Sequence, residues 1–271
     1  EDSYPVKTLH DQSKMFEGTT ITKANPAQFS FTVPLTVEKD ESIVMDLITD
    51  LVATSDSDIE HQQLKSFNMF VQTGSSTFKM ESCVITSASF AFNPREQFVV
   101  SVEGQGAKLS RVGDESYNLG TIQSESSTRT PLLTFPVVTV DSLSMNSIIG
   151  VTLQIQNDVQ WTPFETLQDS LAVTNSSNAM FPSAYTVNSR IVSGAIQQYQ
   201  TDNNITQFDD FSTSSNLSIT AKKSDNTDFW KITLNPVMYT ARMQPADAYT
   251  QSYDFRSTDN TALGTRITTY S

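Results

Sequence analysis

The sequence predicts a mostly β chain: two tandem, similar β-sandwich or barrel units, with one or two short helices and long loops. Three observations predict it. Runs of β-branched and aromatic residues alternate with small polar ones along most of the chain. Proline, glycine and Asn/Asp clusters bound those runs. Part of the pattern also returns. Ser189-Arg190-Ile191-Val192-Ser193-Gly194-Ala195-Ile196 lays on Cys83-Val84-Ile85-Thr86-Ser87-Ala88-Ser89-Phe90, and the isoleucine and the serine two residues on coincide. On that repeat the chain divides into an arm (1–20), a first β unit (21–145) and a second (146–271). A texture common to all β-strands is the competing account of the repeat.

The elements follow in order. Residues 1–20 are polar and without period, an arm ordered only where a neighbour holds it. Gln28-Phe29-Ser30-Phe31-Thr32-Val33 alternates and is a strand closed by Pro34. Over 42–54, Ile43, Val44, Met45, Leu47, Ile48, Leu51 and Val52 fit either a helix or a buried strand, and the second half reads as strand. Asp58 as N-cap, with Ile59, Leu64 and Phe67 in one stripe, predicts a helix over 58–70. Residues 84–92 and 98–103 form a hairpin broken at Asn93-Pro94-Arg95-Glu96. Its second strand puts Phe98, Val100 and Val102 on one face and Val99, Ser101 and Glu103 on the other.

Residues 105–130 hold Gly, Asp, Glu, Ser and Thr in excess and read as a long exposed loop. The proline-bounded run 131–140 suits a strand at a sheet edge. Ile149, Val151, Leu153 and Ile155 alternate in a strand over 148–156. Thr162, Pro163 and Glu165 make a capping box for a helix carrying Leu167 and Leu171. Strand texture returns over 185–200, and a second long loop spans 201–214. Strands follow at 217–221, 229–234 and 236–240, around a turn at 224–228. Beyond residue 240 the chain is polar with isolated Tyr and Phe.

A chain of 271 residues, 37% hydrophobic with 16 Phe and 8 Tyr, can bury a sizeable core. Only 17% of residues are charged, and Ser, Thr, Asn and Gln fill the difference, which suits exposed sheets. Seventeen Lys and Arg against 30 Asp and Glu leave a net charge of −13, which disfavours sequence-specific nucleic-acid binding. Solubility is the plain account of that charge, but repulsion also serves where nucleic acid must pass without sticking. A single cysteine, Cys83, allows no intramolecular disulfide. No run approaches the ~18 apolar residues of a membrane span, so no membrane insertion is expected.

No chemistry stands out. His10 and His61 have no Cys or second His at ligand spacing. Gly104-Gln105-Gly106-Ala107-Lys108 lacks the spacing of a phosphate loop, and no Gly-x-Ser-x-Gly elbow occurs. Asp209-Asp210 and Ser55-Asp56-Ser57-Asp58 read as solvated loop charge rather than calcium sites. Asn175-Ser176-Ser177, Asn204-Ile205-Thr206 and Asn216-Leu217-Ser218 match the glycosylation pattern, as chance supplies in a chain this rich in Ser, Thr and Asn. The expectation is a protein without catalytic site, metal or cofactor, and not an enzyme.

Three stretches resemble the tail tube proteins of tailed bacteriophages, the major tail proteins of duplicated-domain type. They are the hairpin over 82–104; the stretch from Val151 through Ile155-Gln156-Asn157, Trp161-Thr162-Pro163, Leu167, Pro182 and Arg190-Ile191-Val192-Ser193-Gly194; and the closing strand Trp230-Lys231-Ile232-Thr233-Leu234 with Pro236 and Tyr239-Thr240. The resemblance implies a structural virion protein, assembled in the host cytoplasm, whose partners are itself and other tail proteins. Its rings stack into a hollow tail tube through which double-stranded DNA passes without specific contacts. Some such tubes use six single-domain copies per ring and others three duplicated ones; the repeat here favours a trimer. Each half then supplies sheet to a continuous inner barrel, and neighbours consume the strand edges. Candidate bore-lining residues are Ser101, Glu103, Ser193 and Gln197, in an acidic and small polar wall. The loops holding Asp114, Glu115, Asp209 and Asp210 are candidate contacts between rings or subunits. The alternative is a virion decoration protein or a receptor-binding, adhesin-type β-sandwich.

Overall fold

A computed structural model describes residues 6–9, 18–21, 25–38, 41–49, 51–52, 63–93, 96–113, 128–132, 135–140, 145–162, 181–182, 184–204, 215–223, 225–244, 249–257 and 267–269. The elements are β1 (Val6–Leu9), β2 (Gly18–Ile21), β3 (Ala27–Pro34), α1 (Ser42–Thr49), β4 (Leu51–Val52), β5 (Gln63–Leu64), β6 (Phe67–Thr73), β7 (Ser76–Phe92), β8 (Val99–Gly106), β9 (Lys108–Gly113), β10 (Phe135–Val140), β11 (Ile148–Thr162), β12 (Ala184–Tyr199), β13 (Ser215–Lys222), β14 (Asp228–Gln244), β15 (Thr250–Ser257) and β16 (Ile267–Thr269). The chain is mostly β, as the alternation requires.

Twelve strands share one sheet, in the order β10-β13-β14-β15-β12-β11-β7-β8-β3, with β16 beside β14, and β6 and β9 on either side of β7. The expected boundary at 145/146 carries no break in hydrogen bonding: β7 pairs with β11, and β10 pairs with β13. The two similar stretches lie in β7 and β12, which flank β11, so that Ile155 sits between Ala88 and Val192. Their outer neighbours differ, β8 for one and β15 for the other.

β7 serves two sets of neighbours. Its first half lies between β6 and β9, and its second half between β8 and β11. The change falls at Ser82, a non-glycine residue with φ of 52°, whose N–H donates to Asn68 Oδ1 at 3.1 Å. A side chain held at positive φ is uncommon, and it marks the place where the strand turns from one set to the other.

The sheet curls until its two ends face one another. Trp230 of β14 stacks on Phe90 of β7 with ring centroids 5.4 Å apart, and Phe92 stacks on Phe98 at 4.3 Å. These rings join one core with Leu153, Ile155, Ile196, Tyr253 and Phe255, drawn from both parts of the chain. A short stitch closes the ends: Leu132 N–H donates to Leu35 O, Val37 N–H to Thr130 O, and Phe98 N–H to Leu132 O. Two carboxylates fasten it. Glu41 accepts from the Thr36 N–H and hydroxyl at 2.8 Å each, and Glu38 accepts from the Thr130 N–H at 2.8 Å and its hydroxyl at 2.7 Å.

Several expectations are revised. Over 42–54, where helix and strand both fitted, the first half is helix and, among the described residues of the second half, Leu51–Val52 is strand as expected. Glu41 sets the helix start, because its carbonyl accepts from the Val44 and Met45 N–H groups while Met45 and Ile48 enter the core. The helix expected over 58–70 is instead, from residue 63 on, β5, a two-residue link and β6, since the edge of β7 offers Phe67–Thr73 a ladder and Phe29 offers Phe67 an aromatic neighbour at 5.8 Å. The first part of the loop expected from 105 is instead strand, because β8 runs to Gly106 and β9 (Lys108–Gly113) takes the other edge of β7; residues 114–127 lie outside the described residues. β15, unassigned from sequence, is central and buried through Tyr253 and Phe255. In the expected arm, β1 pairs with β2. The predicted helix after Thr162 lies outside the described residues.

Gly194 fits where β12 crosses between β11 and the core. A Cβ there would collide with the Thr152 carbonyl and the Phe255 ring. Because backbone cannot rotate away, Gly194→Ala is expected to lower the urea midpoint more than a Gly→Ala change at an exposed strand position. Trp230→Ala is expected to cost about 3–5 kcal/mol in the same measurement. The two Thr130 bonds hold the Glu38 carboxyl below the usual carboxylate range. A depressed pKa gives stability that is present above the unfolded value and lost as pH falls through the folded one. The protection factor of the Val37 N–H, its exchange rate corrected for the intrinsic pH dependence, should therefore fall on acidification in the wild type and change less with pH in Glu38→Gln.

Candidate functional site

Strand alternation gives the curled sheet an inner apolar side and an outer polar side. The outer side is one continuous surface across seven strands, because the ladders keep register from β3 to β14. One row runs Thr32, Ser101, Ser89, Gln154, Ser193, Arg256, Met238. The next runs Pro34, Val99, Ala91, Thr152, Ala195, Asp254, Thr240. On the other flank lie Ser30, Glu103, Ser87, Gln156 and Ile191. Ser101 and Ser193, distant in sequence, thus share a single row. Glu103 lies one row to one side, and Gln197, paired with Ser252, two rows to the other.

The surface is built from short hydroxyls, amides and small apolar side chains. Its charges are mixed rather than acidic: Glu103, Asp158 and Asp254 stand with Arg256 and Arg242, and Arg242 Nη2 bridges Asp254 Oδ2 at 3.0 Å. The chain's large negative balance therefore resides elsewhere, and the wall is small and polar more than it is acidic.

A bulge gives the surface its relief. β7 slips register against β8 between Ile85 and Ser87, and Thr86 donates its hydroxyl to Glu103 O at 3.3 Å. The Ile85 carbonyl, freed on the inner side, accepts from Asn157 Nδ2 at 2.8 Å. Two open grooves flank the bulge. One of about 370 Å³ is lined by Gln28, Ser30, Thr86, Glu103 and Gln105, and one of about 350 Å³ by Thr86, Glu103, Gln156, Asp158 and Ser189. Among the described residues no three His, Cys, Asp or Glu side chains converge as metal ligands would. Cys83 is buried, and burial pushes its thiol up to about 11, away from nucleophilic use.

All four candidate bore residues thus stand on this face. Asp114, Glu115, Asp209 and Asp210 lie outside the described residues. Sequence reading did not nominate Ser89, Gln154, Arg256 or Met238. The alternation in 84–92 and 148–156 could have found the first two. Nothing local pointed to the last two, which reach the row only through β15.

A profile of the bacteriophage baseplate tube protein family matches residues 2–265. The chain belongs to the bacteriophage baseplate tube protein family. No curated protein matches it. A baseplate tube protein is a structural component of the phage tail, so this chain is a structural, tail-associated virion protein. The family is that of the baseplate tube, coarser and different in emphasis from the major tail tube that the sequence resembles. Within a baseplate tube protein, so broad a polar face suits contact over area.

A face kept for contact tolerates small changes. Ser101→Ala and Ser193→Ala are expected to stay within about 0.5 kcal/mol of wild type by urea denaturation. Asn157→Ala, which strands the buried Ile85 carbonyl, should cost about 1–3 kcal/mol.

Proposed function

We propose that copies of this baseplate tube protein join side by side into a ring, with the seven-strand polar face turned to the bore, and that stacked rings form the hollow passage through which viral DNA leaves the tail. The observation that carries this reading is the composition of that face in register: rows of Ser, Thr, Ala and Gln, with few long cations and with Arg242 neutralised by Asp254. DNA binding is dominated by Lys and Arg contacts to phosphate, so a surface that offers few of them lets a duplex slide. Ser101, Glu103, Ser193 and Gln197 are the proposed bore residues.

Negative-stain images of the purified protein at high concentration are expected to show rings with a central hole, and end-on averages give the copy number. Particles that remain single copies would count against the reading. Ser101→Lys with Ser193→Lys should raise retention of duplex DNA on the assembled rings, with a salt slope steeper by about 0.9 for each further phosphate neutralised. Rings whose DNA retention is unmoved by these lysines would place the face elsewhere than the bore.

A further inference from the structure

The inner ladder between β11 and β12 changes character at one pair. Val151 pairs with Ile196, Leu153 with Gly194 and Ile155 with Val192, an apolar series facing the core. The next inward pair is Asn157 with Arg190. It falls where β11 leaves β7. The ladder between those two strands ends at Gln156 and Ser87. Beyond it Asn157 Nδ2 donates to the Ile85 carbonyl and Trp161 Nε1 to Gln105 Oε1, each at 2.8 Å. Arg190 Nη2 donates to the Ile48 carbonyl near the end of α1.

These bonds leave polar atoms over on both side chains. Arg190 Nε and Nη1 are buried without a partner among the described residues, and so is Asn157 Oδ1. Asn157 is 7% exposed, and its amide cannot exchange its two ends, because the Ile85 carbonyl only accepts. No carboxylate among the described residues neutralises the guanidinium. Burial alone lowers the Arg190 pKa to about 10, so the group stays cationic at neutral pH. A buried charge is tolerated when something pairs it, and a buried donor or acceptor without a partner is costly.

We infer that Arg190 and Asn157 together bind a small oxyanion that carries one hydroxyl, of the hydrogencarbonate class. The guanidinium supplies the opposite charge and the free N–H donors at Nε and Nη1. Asn157 Oδ1 supplies an acceptor for the hydroxyl of the ligand. A monoanion without a proton meets the donors but leaves the amide oxygen facing a second acceptor, so the pair selects for a ligand that both accepts and donates. Arg190 as a residue is only part-buried, which gives a small solute a way in from water. Because Arg190 also holds the Ile48 carbonyl, an occupied site buttresses the end of α1 against β12. The site lies on the inner side of the sheet and does not depend on the ring reading.

The test titrates the full chain with sodium hydrogencarbonate and, separately, with sodium nitrate, at constant pH and ionic strength. Nitrate is planar, singly charged and close in size, but has no proton to donate. The melting midpoint is expected to rise saturably with hydrogencarbonate, on the order of 3 °C at ten times the dissociation constant, and to show no saturable rise with nitrate. Arg190→Gln should abolish the rise, with near-ultraviolet circular dichroism to check folding. Arg190→Lys, which keeps the charge and loses the guanidinium fork, takes its place if the glutamine variant does not fold. A direct reading comes from carbon-13 hydrogencarbonate, whose resonance should broaden with the wild type and sharpen again on adding excess unlabelled hydrogencarbonate. Equal effects of the two anions would overturn the role given to Asn157, and a rise that survives in the Arg190 variant would put the binding elsewhere. Neither a rise nor broadening would mean that water alone satisfies these groups, and the inference would fall.

Discussion

Every strand edge in this molecule must find a partner or face water, and β7 meets that requirement twice over. Its first half satisfies β6 and β9, its second half β8 and β11, and Ser82 absorbs the change of direction. A buried backbone group without a partner costs about as much as a lost hydrogen bond, so no neighbour of β7 is optional. β14 repeats the device with β13 and β16 beside its first half and β15 beside its second. Two seventeen-residue strands thus hold together the core, the β6-β7-β9 extension and the polar outer face in one sheet.

The core tolerates some polar strain. Trp230 brings a large ring against Phe90, Phe92 and Phe98, yet its indole N–H has no partner among the described residues. Arg190 donates Nη2 to the Ile48 carbonyl near the end of α1. Its Nε and Nη1 are buried and unpaired among the described residues, and burial alone lowers its pKa to about 10. A cation at a helix C-terminus is favourable, which offsets part of the cost of burying it. The Gln198, Gln251 and Tyr253 side chains bond to one another and, through Gln251 Nε2, to the Asn204 carbonyl, which pins the turn after β12, while Gln198 Oε1 is unpaired among the described residues.

The outer face shows how alternation becomes a surface. Each inward Phe, Val or Ile dictates an outward neighbour, and the ladders then assemble those neighbours into rows. That the rows are mostly serine, threonine, alanine and glutamine leaves a face with few groups to hold a phosphate. The same pleat that packs Leu153 and Ile155 therefore sets Thr152, Gln154 and Gln156 facing outward.

Period-two patterning in 84–92, 98–103, 148–156 and 229–234 made those strands, and which side each residue faces, readable from the sequence alone, because alternation is a local property. The composition likewise announced a β protein with a polar surface. Elsewhere local signals were ambiguous or misleading. Residues 58–70 carried a helical stripe, but Phe67–Thr73 became a strand because β7 offered an open edge. β15 went unnoticed because Tyr253-Asp254-Phe255 is too short a rhythm to stand out. The joining of both parts into one sheet and the row shared by Ser101 and Ser193 depend on which strands pair and in what register. Those are long-range choices made by a common core, and no stretch of chain contains them on its own.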